Sequence, residues 1–134
     1  MVNIILFKSS ICVALIHIYY YLNYQVNSKI LQINIVLGLL LSILNHGLTF
    51  DIIKKIDRNF MKIGFLINYY LLSNIDLDIV FIYKIILINA VFLYYFSKYL
   101  EHTKKYTNII IVIPHILSHL CITLVNIFLI ISFV

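Results

Sequence analysis

The sequence predicts an all-α protein, a polytopic membrane helix bundle of about five transmembrane helices. Of its 134 residues, 63% are hydrophobic and 11% are charged, whereas soluble domains are about 45–50% apolar and about 25% charged. The hydrophobic residues form long runs without a polar face, which is typical of helices surrounded by lipid. Most charged residues lie between these runs. At this length we expect residues 1–134 to form a single transmembrane helical domain.

Five apolar segments are candidates for crossing about 30 Å of hydrocarbon, which takes about 20 helical residues. These segments are 4–22, 30–50, 56–72, 79–96 and 109–134. Polar breaks separate them at 23–29, 73–78 and 98–108. A charged turn leads into the third segment and contains Asp51, Lys54, Lys55, Asp57 and Arg58. The third segment is the weakest, because Arg58 and Lys62 lie in its first turns, from which they could snorkel to the membrane surface.

The basic residues indicate the orientation of the chain. With five spans, eight of them fall on the side of the amino terminus: Lys8, Lys54, Lys55, Arg58, Lys62, Lys98, Lys104 and Lys105. Lys29 and Lys84 fall on the other side. This bias predicts a cytoplasmic amino terminus and explains the formal charge of +5 as a topology signal, so we expect no nucleic-acid partner. The sequence does not indicate which membrane holds the chain, and a homo- or hetero-oligomer stays open.

Ionisable groups inside a membrane are costly, so each is a candidate for function. His115 and His119 are four residues apart in the last segment. This spacing places them about 40° apart on one helix face, one turn from each other, as in zinc motifs. The alternative is that both imidazoles form hydrogen bonds with neighbouring helices.

Ser42, His46 and Asp57 form a second set of polar residues. Ser42 lies four residues before His46, and therefore on the same face of the second helix. Each of the two could instead form a helix–helix hydrogen bond, and Asp57 could be an N-cap or a partner of Arg58. However, the second helix ends, and the third and fifth begin, at one membrane face. The three helices thus bring the histidines, Ser42 and Asp57 to a similar depth.

This convergence predicts a catalytic zinc site. His46 would supply the third nitrogen beside His115 and His119, and three protein ligands with one open position are typical of catalytic zinc. Zinc in such a site activates a water molecule and polarises a carbonyl group. Asp57 could accept a proton from that water or orient an imidazole, and Ser42 could bond the water or a developing oxyanion.

The same residues resemble a known family. Ser42 and His46 as S-x3-H, Asp57 eleven residues later, and His115 and His119 as H-x3-H in the last helix are similar to the pattern of the CREST superfamily. That group includes alkaline ceramidases, progestin and adipoQ receptors, and Per1-like proteins. The resemblance implies a zinc ion held by the three histidines and hydrolysis of a lipid amide or ester, with ceramide the best-known substrate. The family typically has seven helices, whereas this chain shows about five.

The leading hypothesis is therefore a zinc-dependent intramembrane hydrolase of a lipid amide or ester, with a membrane lipid as its partner. A second hypothesis is a non-catalytic multi-pass protein, receptor-like or structural, that keeps the histidines for metal binding or packing. A third is a haem-binding subunit. Of the other histidines, we expect His17 to form a helix–helix hydrogen bond and His102 to be solvated in a loop. Cys12 and Cys121 are expected to form no disulfide.

Overall fold

The computed structural model describes residues 4–48, 50–103 and 107–134. These residues form five helices: α1 (Ile4–Asn23), α2 (Lys29–Gly47), α3 (Asp51–Ser73), α4 (Val80–Thr103) and α5 (Asn108–Ser132). The predicted all-α fold with five helices is thereby confirmed. Cys12 and Cys121 are both free thiols, as expected.

Four of the helices, α1, α2, α4 and α5, are long and apolar enough to cross a membrane. The chain is therefore an integral membrane protein. Helix α3 has 23 residues but does not meet the same standard within the described part of the chain. Its first three turns carry all of its charges, from Asp51 to Lys62, whereas the remainder is uncharged. The third segment, predicted to be the weakest span, is thus the one helix of the described residues that is not apolar enough to count as a candidate span.

Two predicted boundaries were wrong, because charged residues were interpreted as loop. The charged turn before the third segment is helical, and α3 begins at Asp51. There Lys54 donates a 3.0 Å hydrogen bond to Asp51, a pair spaced three residues apart that supports the first turn and holds the pKa of the Asp51 carboxyl below its ordinary value. Likewise α4 continues to Thr103, with a 2.7 Å ion pair between Lys98 and Glu101. Lys104 and Lys105 lie outside the described residues.

Helix α5 occupies the centre of the bundle and packs against all four other helices. The apolar core lies toward its carboxyl end, where Val125 and Leu129 are fully buried with Leu31 and Leu72. The backbone N–H of Asn27, in the connection between α1 and α2, donates to the carbonyl of Phe133 at this end. The amino-terminal half of α5 is left to contact polar side chains, which form the candidate site.

Candidate metal centre and adjoining cavity

The three histidines predicted to act together converge at one point. The ring centroids of His46 and His115 are 5.1 Å apart, those of His46 and His119 are 5.6 Å apart, and those of His115 and His119 are 5.0 Å apart. One ligand nitrogen from each ring lies within 4.8 Å of the others. Only 8% of His46 and 3% of His115 is exposed. This group can hold a metal ion.

Hydroxyl groups on α4 and α5 fix the position of the two histidines on α5. Ser97 donates a 2.7 Å hydrogen bond to the carbonyl of Ile111, and Ser118 donates one of 2.7 Å to the carbonyl of Ala90. Both bonds join α4 to α5, one before His115 in the sequence of α5 and one after it. Such interhelical bonds position helices in lipid, where hydrophobic association between them is weak. They therefore set the rotation of α5 that directs its imidazoles inward.

The position of His46 depends on close packing at the end of α2. A Cβ atom on the next residue, Gly47, would lie only 2.8 Å from Cε2 of Phe7. Glycine is thus required for the Phe7 ring of α1 to approach α2 this closely. The backbone N–H of Leu48 then caps the helix by donating to the carbonyl of Leu44. His46 is held in the last turn of α2, facing α5.

Asp57 lies in the second turn of α3 and is therefore not its N-cap, as one alternative had it. Its side chain is 7% exposed, and its Oδ2 accepts a hydrogen bond of 2.5 Å from the amide of Asn45. Neither an ion pair with Arg58 nor a hydrogen bond to an imidazole is present among the described residues. The carboxylate is thus connected to the histidine group through Asn45, the neighbour of His46, which sequence reasoning missed.

Ser42 is half-buried and contacts a residue of α1. Its Oγ lies 3.0 Å from Oγ of Ser10, whose hydroxyl is also 3.1 Å from the carbonyl of Leu6. A serine hydroxyl has one hydrogen. If Ser10 donates that hydrogen to Leu6, then Ser42 donates to Ser10 and directs its lone pairs elsewhere. In this arrangement Ser42 can accept a hydrogen bond from water, but it has no hydrogen left for an oxyanion.

A cavity of about 310 Å³ adjoins the histidine group, which is within the range of small-molecule sites. Four of the five predicted site residues border it: Ser42, Asp57, His115 and His119. Its other walls are mainly apolar, including Ile35, Leu39, Phe60, Phe65 and Leu87. His46 is not part of the wall, although its ring meets both other imidazoles. The polar site thus lies at the boundary of a largely apolar space.

A chain of hydrogen-bonded buried amides, which we call the amide ladder, lines the cavity away from His46, His115 and His119. Asn34 donates to Asn68 at 2.9 Å, Asn68 donates to Asn126 at 2.9 Å, and the Asn126 amide nitrogen lies 3.2 Å from Nε2 of His17. The helix–helix hydrogen bond expected for His17 is confirmed. The three asparagines were missed, although an amide halfway along an apolar helix was a signal that could have found them. The ladder joins α1, α2, α3 and α5.

The donor set fits a borderline metal ion such as zinc, for which neutral imidazole is a common ligand. At Zn–N distances of about 2.0–2.1 Å, tetrahedral ligand nitrogens lie about 3.4 Å apart. The three nitrogens, now within 4.8 Å of one another, would have to move closer to reach that separation, by rotation of their side chains. Three protein ligands would leave a fourth position toward the cavity.

Comparison with known proteins gives no relatives for this chain. No family model, curated protein or solved structure matches it.

Proposed function

We propose that this chain is a zinc-dependent intramembrane hydrolase that cleaves an amide or ester bond of a membrane lipid. The observation that carries the proposal is the convergence of three largely buried imidazoles at the edge of an apolar cavity that also contains a buried carboxylate. Buried polar groups of this kind are costly in a membrane protein. Together they match the pattern of catalytic zinc, with three protein ligands and one open position.

The roles divide among the residues by chemistry. His46, His115 and His119 would hold zinc, which supplies a Lewis acid and an activated water when it is bound. Asp57 would take a proton from the attacking water and return it to the leaving amine or alkoxide. Water thus adds across the acyl C–N or C–O bond and yields a fatty acid and an amine or alcohol. Asn45 would keep the carboxylate in place through its hydrogen bond.

The cavity supports a lipid as substrate. Its walls from α2, α3, α4 and α5 are mostly hydrocarbon, so an acyl chain can be buried there without loss of hydrogen bonds. The amide ladder offers polar groups farther along the same space. A ceramide-like molecule, with acyl chains on either side of an amide, has both kinds of surface. The resemblance to the CREST superfamily points to the same substrate class.

A non-catalytic, receptor-like or structural protein is the alternative. His17 favours it. This buried histidine bonds to Asn126 and is not one of the three histidines that could hold a metal, so a buried histidine in this bundle can serve packing alone. Under this alternative, the three site histidines would stabilise the bundle and no lipid would be cleaved. A haem subunit is distinguished by its visible absorption, since a zinc protein is colourless.

Release of fatty acid from ceramides and acyl esters in detergent micelles tests the proposal. Zinc-loaded protein should release fatty acid, a strong chelator should stop the release, and added zinc should restore it. The triple variant His46→Ala, His115→Ala, His119→Ala is the inactive control. Fatty acid release that continues in the presence of the chelator would count against a zinc-dependent hydrolase. No release from any of these lipids by zinc-loaded protein would favour the non-catalytic alternative.

A further inference from the structure

A second cavity, which we call the basic cleft, opens between α3 and α4 beside the candidate site. Its volume is about 560 Å³. Four basic side chains line it: Lys55, Arg58, Lys62 and Lys98. Glu101 is its one carboxylate among the lining residues, and Asn59 adds a neutral amide. His102 also borders the cleft at the end of α4, so it is not merely a solvated loop residue.

The cations of the basic cleft outnumber the carboxylates near them: Asp51 and Asp57 act on Lys55, Arg58 and Lys98 only at longer range. Lys98 pairs with Glu101 at 2.7 Å, but Lys55, Arg58 and Lys62 form no ion pair within the described part of the chain. The enrichment of basic residues in cytoplasmic segments explains why these four cations lie on one side of the membrane. It does not require them to converge on one cavity, and Lys54, on the same turn as Lys55, pairs instead with Asp51 outside it. The convergence therefore indicates an anionic ligand.

The basic cleft and the apolar cavity share a wall. Lys62, Tyr94 and Tyr95 border both of them. Tyr94 also connects the cleft to the metal group, because its ring centroid is 5.4 Å from that of His115 and Lys98 Nζ lies 6.0 Å from the centre of its ring. The two cavities therefore adjoin each other at these residues, next to the histidine group.

We propose that the basic cleft binds the phosphate of a lipid headgroup while an acyl chain of that lipid lies in the adjoining cavity. Arg58 can bind two phosphate oxygens in its planar fork, and the three lysines supply point charges. Basic pockets between helices at the cytoplasmic face are suited to such headgroups. The preferred substrate is then a phosphate-bearing lipid, a conclusion that rests on the proposed hydrolase activity. The binding itself does not.

Binding is tested with purified protein in detergent, using three probes. These are phosphatidic acid, the diacylglycerol with the same acyl chains, and inorganic phosphate. Phosphatidic acid should bind about tenfold or more tightly than the diacylglycerol, and the double variant Arg58→Gln, Lys62→Gln should lose most of that difference. Lys54→Gln and Lys8→Gln are the matched controls and should bind as the parent does, because neither side chain borders the cleft.

Three outcomes would overturn the proposal. Equal binding of the two lipids would show that the phosphate is not recognised. An equal loss in Lys54→Gln or Lys8→Gln would show diffuse attraction by the positive surface. Inorganic phosphate that binds as tightly as phosphatidic acid would show a site for free anions, without a lipid chain.

The triple histidine variant separates this proposal from the hydrolase activity. It should still bind phosphatidic acid in preference to the diacylglycerol, since the cleft uses none of the three histidines. Preference for phosphatidic acid without any fatty acid release would retain the binding site and reject the hydrolase. Release from neutral ceramide with no release from its phosphorylated form would retain the hydrolase and reject the substrate preference.

Discussion

The amide nitrogen of Asn45 lies 2.5 Å from Oδ2 of Asp57, so the residue next to His46 holds a carboxylate that lines the same cavity as His115 and His119. This bond joins the last turn of α2 to the second turn of α3. It fixes one oxygen of the Asp57 carboxylate, and Asp57 also lines the cavity. The arrangement separates the residue proposed to move a proton from the residues proposed to hold the metal.

Replacing Asp57 should therefore affect turnover and spare the metal. We expect Asp57→Asn to keep most of the zinc and to lower the rate of fatty acid release by about 10²–10⁴-fold, the range for a general base. Metal analysis and a rate assay on the same preparation check this. Asp51→Asn is the matched control, because that carboxylate is exposed on the same helix and pairs with Lys54. Loss of zinc from Asp57→Asn would instead make Asp57 a ligand.

Ser42 is expected to contribute less than Asp57. Its hydroxyl lines the cavity and contacts Ser10, and Ser42→Ala removes one acceptor for water without touching a metal ligand. We expect a smaller fall in rate than for Asp57→Asn, with the zinc content unchanged. The comparison with Ser10→Ala is informative, since Ser10 does not line the cavity and should affect the rate less. A larger effect of Ser10→Ala than of Ser42→Ala would mean that the contact serves packing of α1 on α2.

The part of the site that the sequence predicted was the part fixed by helix direction. Alternating helices bring the end of α2 and the start of α5 to the same face, and the spacing of four keeps His115 and His119 on one side of α5. The convergence with His46 followed from these two facts. The Asn45–Asp57 bond could not be predicted, because it depends on how far α2 and α3 are rotated toward each other.

Other features were missed because sequence patterns do not contain them. The asparagines of the amide ladder stand alone within apolar runs, so no period relates them, and only the packing of four helices shows that they meet. The start of α3 was misplaced because its charges resemble a loop. In the structure these residues are helical. Asp51 lies in the first turn, where its negative charge interacts favourably with the helix dipole and stabilises the helix.

The amide ladder should stabilise the bundle. Asn68 forms two of its bonds, one to Asn34 and one to Asn126. Asn68→Leu should lower the free energy of unfolding in detergent by about 1–3 kcal/mol, because two interhelical bonds are lost and buried partners stay unpaired. Asn89→Leu is the control, since the exposed Asn89 bonds to the carbonyl of Ile85 in its own helix. Equal effects of the two substitutions would argue that the ladder adds no stability.

Helix α3 is expected to cross the membrane despite its charged first half. Asn68 near its other end bonds to α2 and α5, which are both apolar enough to span. In a protein with Cys12 and Cys121 replaced by alanine, Asp51→Cys should be labelled from the cytoplasmic side and Asp76→Cys from the opposite side. Labelling of both from one side would show that α3 does not span. Labelling from the reverse sides would contradict the cytoplasmic amino terminus.

The most direct measurement is the metal content of the purified protein beside its histidine variants. We predict about one zinc ion per chain in the parent protein and loss of most of it in each of His46→Ala, His115→Ala and His119→Ala, since each removes one of three ligands. His17→Ala, which disturbs the amide ladder but no proposed ligand, should keep the zinc and shows whether a loss reflects unfolding alone. A parent protein that binds no zinc after metal loading, or a triple histidine variant that retains it, would contradict the account.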